Sequence, residues 1–139
     1  MDSLGLQNCM AHNSPIESVL GRLDGRDCIY LDGYWFEDGS STLTLEGSIN
    51  GDLCGIAQPG RFISFILRFR GVLALKMVEL DSCDWEFESS FDEVIGSEWV
   101  NKLRGKIDSL HRHYFVQTYD NVFDVVCTTY EFEIPNSPA

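Results

Sequence analysis

The sequence predicts an α+β fold: mainly antiparallel β-sheet, about seven strands in a curved sheet or open barrel, with one or two short helices. Three observations carry that expectation. Apolar residues recur with period two, as where Leu43 and Leu45 alternate with Thr42, Thr44 and Glu46. Turn-forming pairs such as Asp32-Gly33, Arg70-Gly71 and Asp120-Asn121 separate the apolar runs. Helix-start signals are few: Ser14-Pro15-Ile16-Glu17, Ser90-Phe91-Asp92-Glu93 and Ser97-Glu98-Trp99-Val100.

Residues 1–13 show no period and read as a loose N-terminal tail of a single domain spanning 1–139. A short helix follows. Ser14 is its N-cap, Pro15 its first helical residue, and Ile16, Val19, Leu20 and Leu23 its apolar face, ending near Asp24-Gly25. Residues 28–31 and 34–36 are strand runs around Asp32-Gly33, a turn or bulge signal. Residues 41–46 form a hairpin strand, and 47–61 a loop with a short strand at 53–57. The runs 62–69 and 72–80 are strands joined at Arg70-Gly71, and 85–88 alternates again.

One interrupted helix, broken near Gly96, comes next. Ile95, Trp99 and Leu103 share its face, Gly105 caps it, and Lys102 and Arg104 suit its negative end. The last unit is a hairpin of 113–119 with 122–134. A two-residue turn at Asp120-Asn121 sets Gln117 opposite Asp124. It turns Tyr114, Val116, Phe123, Val125 and Cys127 toward the core, and Asp124 outward with Gln117 and His113. Beyond Thr128-Thr129 the apolar phase passes to Tyr130, Phe132 and Ile134. That change predicts a β-bulge there, or a passage from one packing layer to another.

Composition narrows the function. With 139 residues, 44% of them apolar, the chain can bury a core without disulfides or metal. A net charge of −12 repels phosphate, which argues against nucleic acid, and reads either as solubility alone or as attraction for a basic protein partner. The five cysteines are widely spaced with no C-x-x-C, so they suit a reducing, cytoplasmic setting rather than a disulfide framework or zinc knuckle. The N-terminus lacks the basic start and apolar stretch of a secretory signal, and no run approaches the roughly 18 apolar residues of a membrane span. The expectation is a soluble protein with no membrane association.

Candidate binding residues fall into three groups. Tyr34 and Trp35, ringed by Asp32, Glu37 and Asp38, read either as core packing or as an aromatic anchor. Asp84, Glu86, Glu88, Asp92 and Glu93 read as a solvated face or as a patch for basic side chains. Asp124 reads as a solvated or Gln117-paired group on the outer sheet face, or as a carboxylate lining a shallow groove with His111, His113 and Tyr119 for acid–base work. His111 and His113 could chelate a metal from one strand face, but a third ligand is missing from the pattern. No catalytic residue, metal or cofactor is assigned.

The run Phe65-Ile66-Leu67-Arg68-Phe69-Arg70-Gly71-Val72 and the terminal strand pair resemble small β-rich bacterial proteins of unassigned function, some grouped as immunity proteins of polymorphic toxin systems. The resemblance implies a binder that covers a toxin's basic active site with acidic side chains. The expected function is therefore a small acidic interaction domain, of immunity type in its most concrete form. A binder should present its acidic patch without a deep pocket. The alternatives are an apolar-ligand carrier, with a cavity lined by Phe62, Phe65, Leu67 or Trp85, and a hydrolase-like enzyme in which His111, His113 and Asp124 converge. The long terminal strand also offers an edge for a homodimer, which Glu131 and Glu133 would restrain.

Overall fold

The computed structural model describes residues 11–83, 87–103 and 110–135. Their nine strands form two antiparallel sheets rather than one curved sheet or barrel. One sheet has the order β1 (His12–Pro15), β6 (Phe91–Ile95), β7 (Arg112–Gln117), β8 (Asn121–Cys127), β5 (Ala74–Glu79). The other has the order β2 (Ile29–Glu37), β3 (Thr42–Asn50), β4 (Phe62–Arg70), β9 (Thr129–Glu133). The one α-helix among the described residues, α1 (Glu98–Leu103), joins β6 toward β7.

The core lies between the sheets. Leu43, Leu45, Phe65, Leu67 and Phe69 pack from one side against Phe91, Tyr114, Val116, Phe123, Val125 and Cys127 from the other. Each fully buried ring or branched side chain contributes about 1.5–3 kcal/mol. Cys28 and Cys127 sit in this core as small hydrophobes, and burial pushes both thiols up to about 12.

A single bent ribbon ties the sheets together. β4 pairs with β9 in one sheet, and their chain continuations, β5 and β8, pair in the other. At the bend Gly71, Val72 and Leu73 oppose only Cys127 and Thr128, between the pairs Arg70–Thr129 and Ala74–Val126. An extra residue reverses which face each side chain takes. The phase change expected at Thr128-Thr129 is thus a passage between sheets, and Tyr130, Phe132 and Ile134 pack against the core beyond it. The Arg70 carbonyl accepts from both the Thr128 amide (3.0 Å) and the Thr128 hydroxyl (2.9 Å).

Other expectations are corrected. Residues 14–23 form no helix: Ser14 and Pro15 pair with Glu93 and Asp92 of β6, a bridged turn follows at Ser18–Gly21, and Leu23 makes an isolated bridge to Cys54. A helix this short is marginal alone, so pairing with a sheet edge prevails. His12 and Asn13 likewise belong to β1 and not to a tail. Ser90-Phe91-Asp92-Glu93 leads into β6, because Phe91 buries in the core against Phe69 and Tyr130. The strand expected at 53–57 is a 3-10 turn, Gly51–Leu53, and one bridge at Cys54. The strand expected at 85–88 falls partly outside the described residues, and Phe87 and Glu88 are not in a strand. Arg104 and Gly105 also lie outside them.

The β7–β8 register differs by two residues from the expected one. Gln117 pairs with Val122, and Phe115 with Asp124. Thr118 closes a wider turn, its amide donating to the Asn121 carbonyl (2.8 Å) and its hydroxyl accepting from the Asn121 amide (2.9 Å). A shift of two leaves every side chain on its expected face.

The bend requires glycine. Gly71 has φ +69°, and a Cβ there would collide with the Thr128 side chain, which is held by its bond to Arg70. Gly60 has a similar φ, +73°, but open space around it. Gly60→Ala should cost roughly 1–2 kcal/mol from backbone strain alone. Gly71→Ala should cost about 3 kcal/mol or more, because the clash adds to the strain. Urea denaturation of the two variants checks this, and equal losses would refute the close packing at the bend.

Candidate functional site

Each sheet has one face on the core and one turned away. On the outer face of the four-stranded sheet, Trp35 stands beside Thr44 and Arg68, while Tyr34 and Phe36 turn to the other side. The bulge between Leu31 and Gly33 produces that alternation by shifting the phase of β2. Tyr34 meets Phe123 edge-on at 5.5 Å. The Trp35 indole donates to Glu37 (3.0 Å), which also accepts from Thr44 (3.3 Å). Asp38 lies in the β2–β3 turn, accepting from the Thr42 hydroxyl (3.3 Å), and Asp32 is exposed at the bulge. Arg68 pairs with Glu133, and Arg70 with Glu131, so the β9 edge carries a charged ladder.

At one end of this sheet three rings from separate segments meet. Tyr30 stacks on Tyr119 at 5.2 Å and meets Phe62 edge-on at 5.8 Å. Phe62 is 63% exposed and Tyr119 40%. Arg26 lies over the Tyr119 ring, 5.0 Å from its centre, donates to the Tyr119 carbonyl (3.2 Å) and pairs with Asp81 (3.1 Å). Asp27 and Asp120 are exposed nearby, and Arg61 adjoins Phe62. Desolvation raises the Tyr30 hydroxyl above its ordinary range, and the charge of Asp27 raises it further. Nothing in the spacing of Tyr30, Phe62 and Tyr119 announces this group, because only tertiary folding joins it.

The outer face of the five-stranded sheet is covered in part by α1 and in part by Leu80, Cys83 and Phe87, which pack on Val94, Phe115 and Val122. Asp124 is 5% exposed, so the solvated residue expected beside Gln117 is instead a buried one. Its partner is His113, 3% exposed, whose Nε2 meets an Asp124 oxygen. The other ring nitrogen, Nδ1, lies 2.7 Å from the Ser97 hydroxyl. Both nitrogens being engaged, His113 cannot share a metal with His111 as the two-histidine pattern would require. His111 is half-buried, in a smaller cleft of about 210 Å³ that His113 also lines. The larger cavity here, about 490 Å³, is bounded by Lys76, Trp99, Lys102 and the three polar side chains. It departs from the pocket-free surface expected of a binder. It is not the carrier's cavity either: Phe65 and Leu67 are packed in the core and Phe62 is exposed.

Of the remaining candidates, Glu88 is exposed, its amide donating to buried Asp92 (2.8 Å) and its carbonyl accepting from Arg22. Asp84, Glu86 and Trp85 lie outside the described residues. The structure thus unites Asp124 with His113, and Trp35 with Glu37. It leaves the acidic residues of β2 on a different sheet from His113. No helix among the described residues is long and apolar enough to cross a membrane.

No protein-family model and no curated protein matches the chain. Among solved structures it is similar to an uncharacterized protein from Neisseria gonorrhoeae, with 13% identity and a TM-score of 0.41 over 89% of this chain and 97% of that one.

The indole bond holds the Glu37 carboxyl below its usual range, with Thr44 and the charges of Arg68 and Arg70 adding to the effect. Stability from this bond is therefore present above the ordinary glutamate value and lost as pH falls through the lowered folded value. In NMR the Trp35 indole N–H should titrate with a midpoint below about 4.3, the unperturbed glutamate value. Glu37→Gln should abolish that titration. A midpoint at or above the unperturbed value would contradict the bond.

Proposed function

We propose that the protein is a small acidic interaction domain that holds a basic segment of a partner protein against Tyr30, Phe62 and Tyr119. One observation carries this reading: the face already seats a guanidinium, since Arg26 stacks on Tyr119 while paired with Asp81. Such a cation gains from the ring's negative face and from the neighbouring carboxylate together. Phe62 offers a further uncovered ring beside it, and Asp27 and Asp120 supply negative charge at the rim. The net charge of −12 would speed encounter with a basic partner. Neutralisation of a basic toxin in the cytoplasm is the concrete form of this role, supported by the charge and by the resemblance already described. The cavity under α1 belongs to the other sheet and does not compete with this face.

Fluorescence anisotropy of a labelled hexa-arginine peptide tests the proposal. Binding is expected at low salt, weakened at least about fivefold by Phe62→Ala. The melting temperature should stay unchanged, because Phe62 buries little. A hexalysine peptide should bind less well, having no planar group to stack. Equal binding by the Phe62→Ala variant, or no binding at low salt, would overturn the assignment.

A further inference from the structure

Three side chains from three segments are lined up at the base of the cavity under α1. Ser97 precedes α1, and its oxygen accepts from the Val100 amide (3.1 Å). That bond caps the helix, and with the ring proton on Nε2 the Ser97 hydroxyl donates to His113 Nδ1, 2.7 Å away. In that tautomer His113 Nε2 donates to Asp124. All three residues are buried from bulk solvent yet line the cavity. A helix cap needs only the serine. It does not call for an imidazole behind the hydroxyl, nor for a carboxylate behind the imidazole.

The rest of the cavity is also distinctive. The chain has three lysines, Lys76, Lys102 and Lys106, and two of them line this one space. Lys76 pairs across the sheet with Asp124 and extends over the Trp99 ring, 5.9 Å from its centre. Trp99 itself stands edge-on to His113 at 5.4 Å. Val94 adds apolar wall, and Glu98 lies one helical turn before Lys102. A volume of about 490 Å³ suits a small organic molecule.

We propose that this cavity is an acyl-transfer site that hydrolyses small esters bearing a negative charge. Ser97 is the nucleophile, His113 the base, and Asp124 the residue that positions the imidazole and fixes its tautomer. The ring nitrogens are exchanged relative to the familiar serine–histidine–aspartate arrangement, but either nitrogen can act as the base. The Ser97 oxygen bonds to the ester carbonyl carbon as its proton moves to His113 Nδ1. The bond from that carbon to the leaving oxygen then breaks, and the departing alcohol takes the proton from His113. Water attacks the acyl-serine, giving a proton to His113, which returns it to the Ser97 oxygen as the acid leaves. Lys76 and Lys102 hold the anionic end of the substrate. This site is independent of the partner-binding face.

The full chain is treated with a fluorophosphonate probe and analysed by peptide mass spectrometry. One modification per chain, on Ser97, is expected. Hydrolysis of 4-nitrophenyl hydrogen succinate is then compared with that of the uncharged 4-nitrophenyl acetate. Ser97→Gly removes the nucleophile at a position where glycine still tolerates the helix cap, and should abolish hydrolysis of both esters. Lys76→Gln should lower kcat/KM for the succinate ester on the order of tenfold more than for the acetate, so that the preference for the charged ester is lost. An unmodified Ser97 in folded protein, modification spread over several serines, unchanged hydrolysis by the Ser97→Gly variant, or no preference for the charged ester would each overturn the proposal.

Discussion

The bend in the β4–β5 and β8–β9 ribbon is the constraint on which the rest of the structure depends. Four strands belong to this one ribbon, two in each sheet, so the sheets are not independent layers that happen to stack. Their facing is set where Thr128 donates twice to the Arg70 carbonyl and Gly71 gives way to the Thr128 side chain. The extra residue at the bend turns Phe123, Val125 and Cys127 inward from one sheet and Tyr130 and Phe132 inward from the other. Without that reversal, one half of the ribbon would present its apolar face to water.

Stacking the sheets in this way leaves two outer faces with different chemistry. The outer face of the four-stranded sheet is open to solvent, so its rings and charges can meet another molecule. That of the five-stranded sheet lies under α1 and under Leu80, Cys83, Phe87 and the turn at Glu88–Ser89, so its buried polar groups must satisfy one another. Ser97, His113 and Asp124 do so in a single line, and Asp92 does so with Asn13, Ser89 and the Glu88 amide. The same burial that makes an unpaired carboxylate costly holds these partners in fixed geometry.

What was legible in the sequence follows from the range of the interactions involved. The phase change at Thr128 could be read because the alternation on each side of it is strong and local. The outward facing of Asp124 could be read for the same reason. Its partner could not, because the register depends on how Thr118 closes the turn, and an error of two residues preserves every face. Ser14-Pro15 and Ser90-Phe91 carry helix signals that are overridden by pairing between distant strands, β1 with β6 and β6 with β7. Ser97, by contrast, begins a helix as its local signal requires. The meeting of Tyr30, Phe62 and Tyr119, and that of Lys76 with Trp99, arise from tertiary folding and leave no spacing to detect.

Native-state hydrogen exchange tests the central claim, that the bent ribbon makes the two sheets one cooperative unit. The Thr128 and Leu73 amides, bonded to the Arg70 and Val126 carbonyls, sit at the bend itself. They should exchange only through global unfolding, at the same free energy as core amides of β3 and β8. Earlier exchange at the bend, or separate opening free energies for the two sheets, would contradict it.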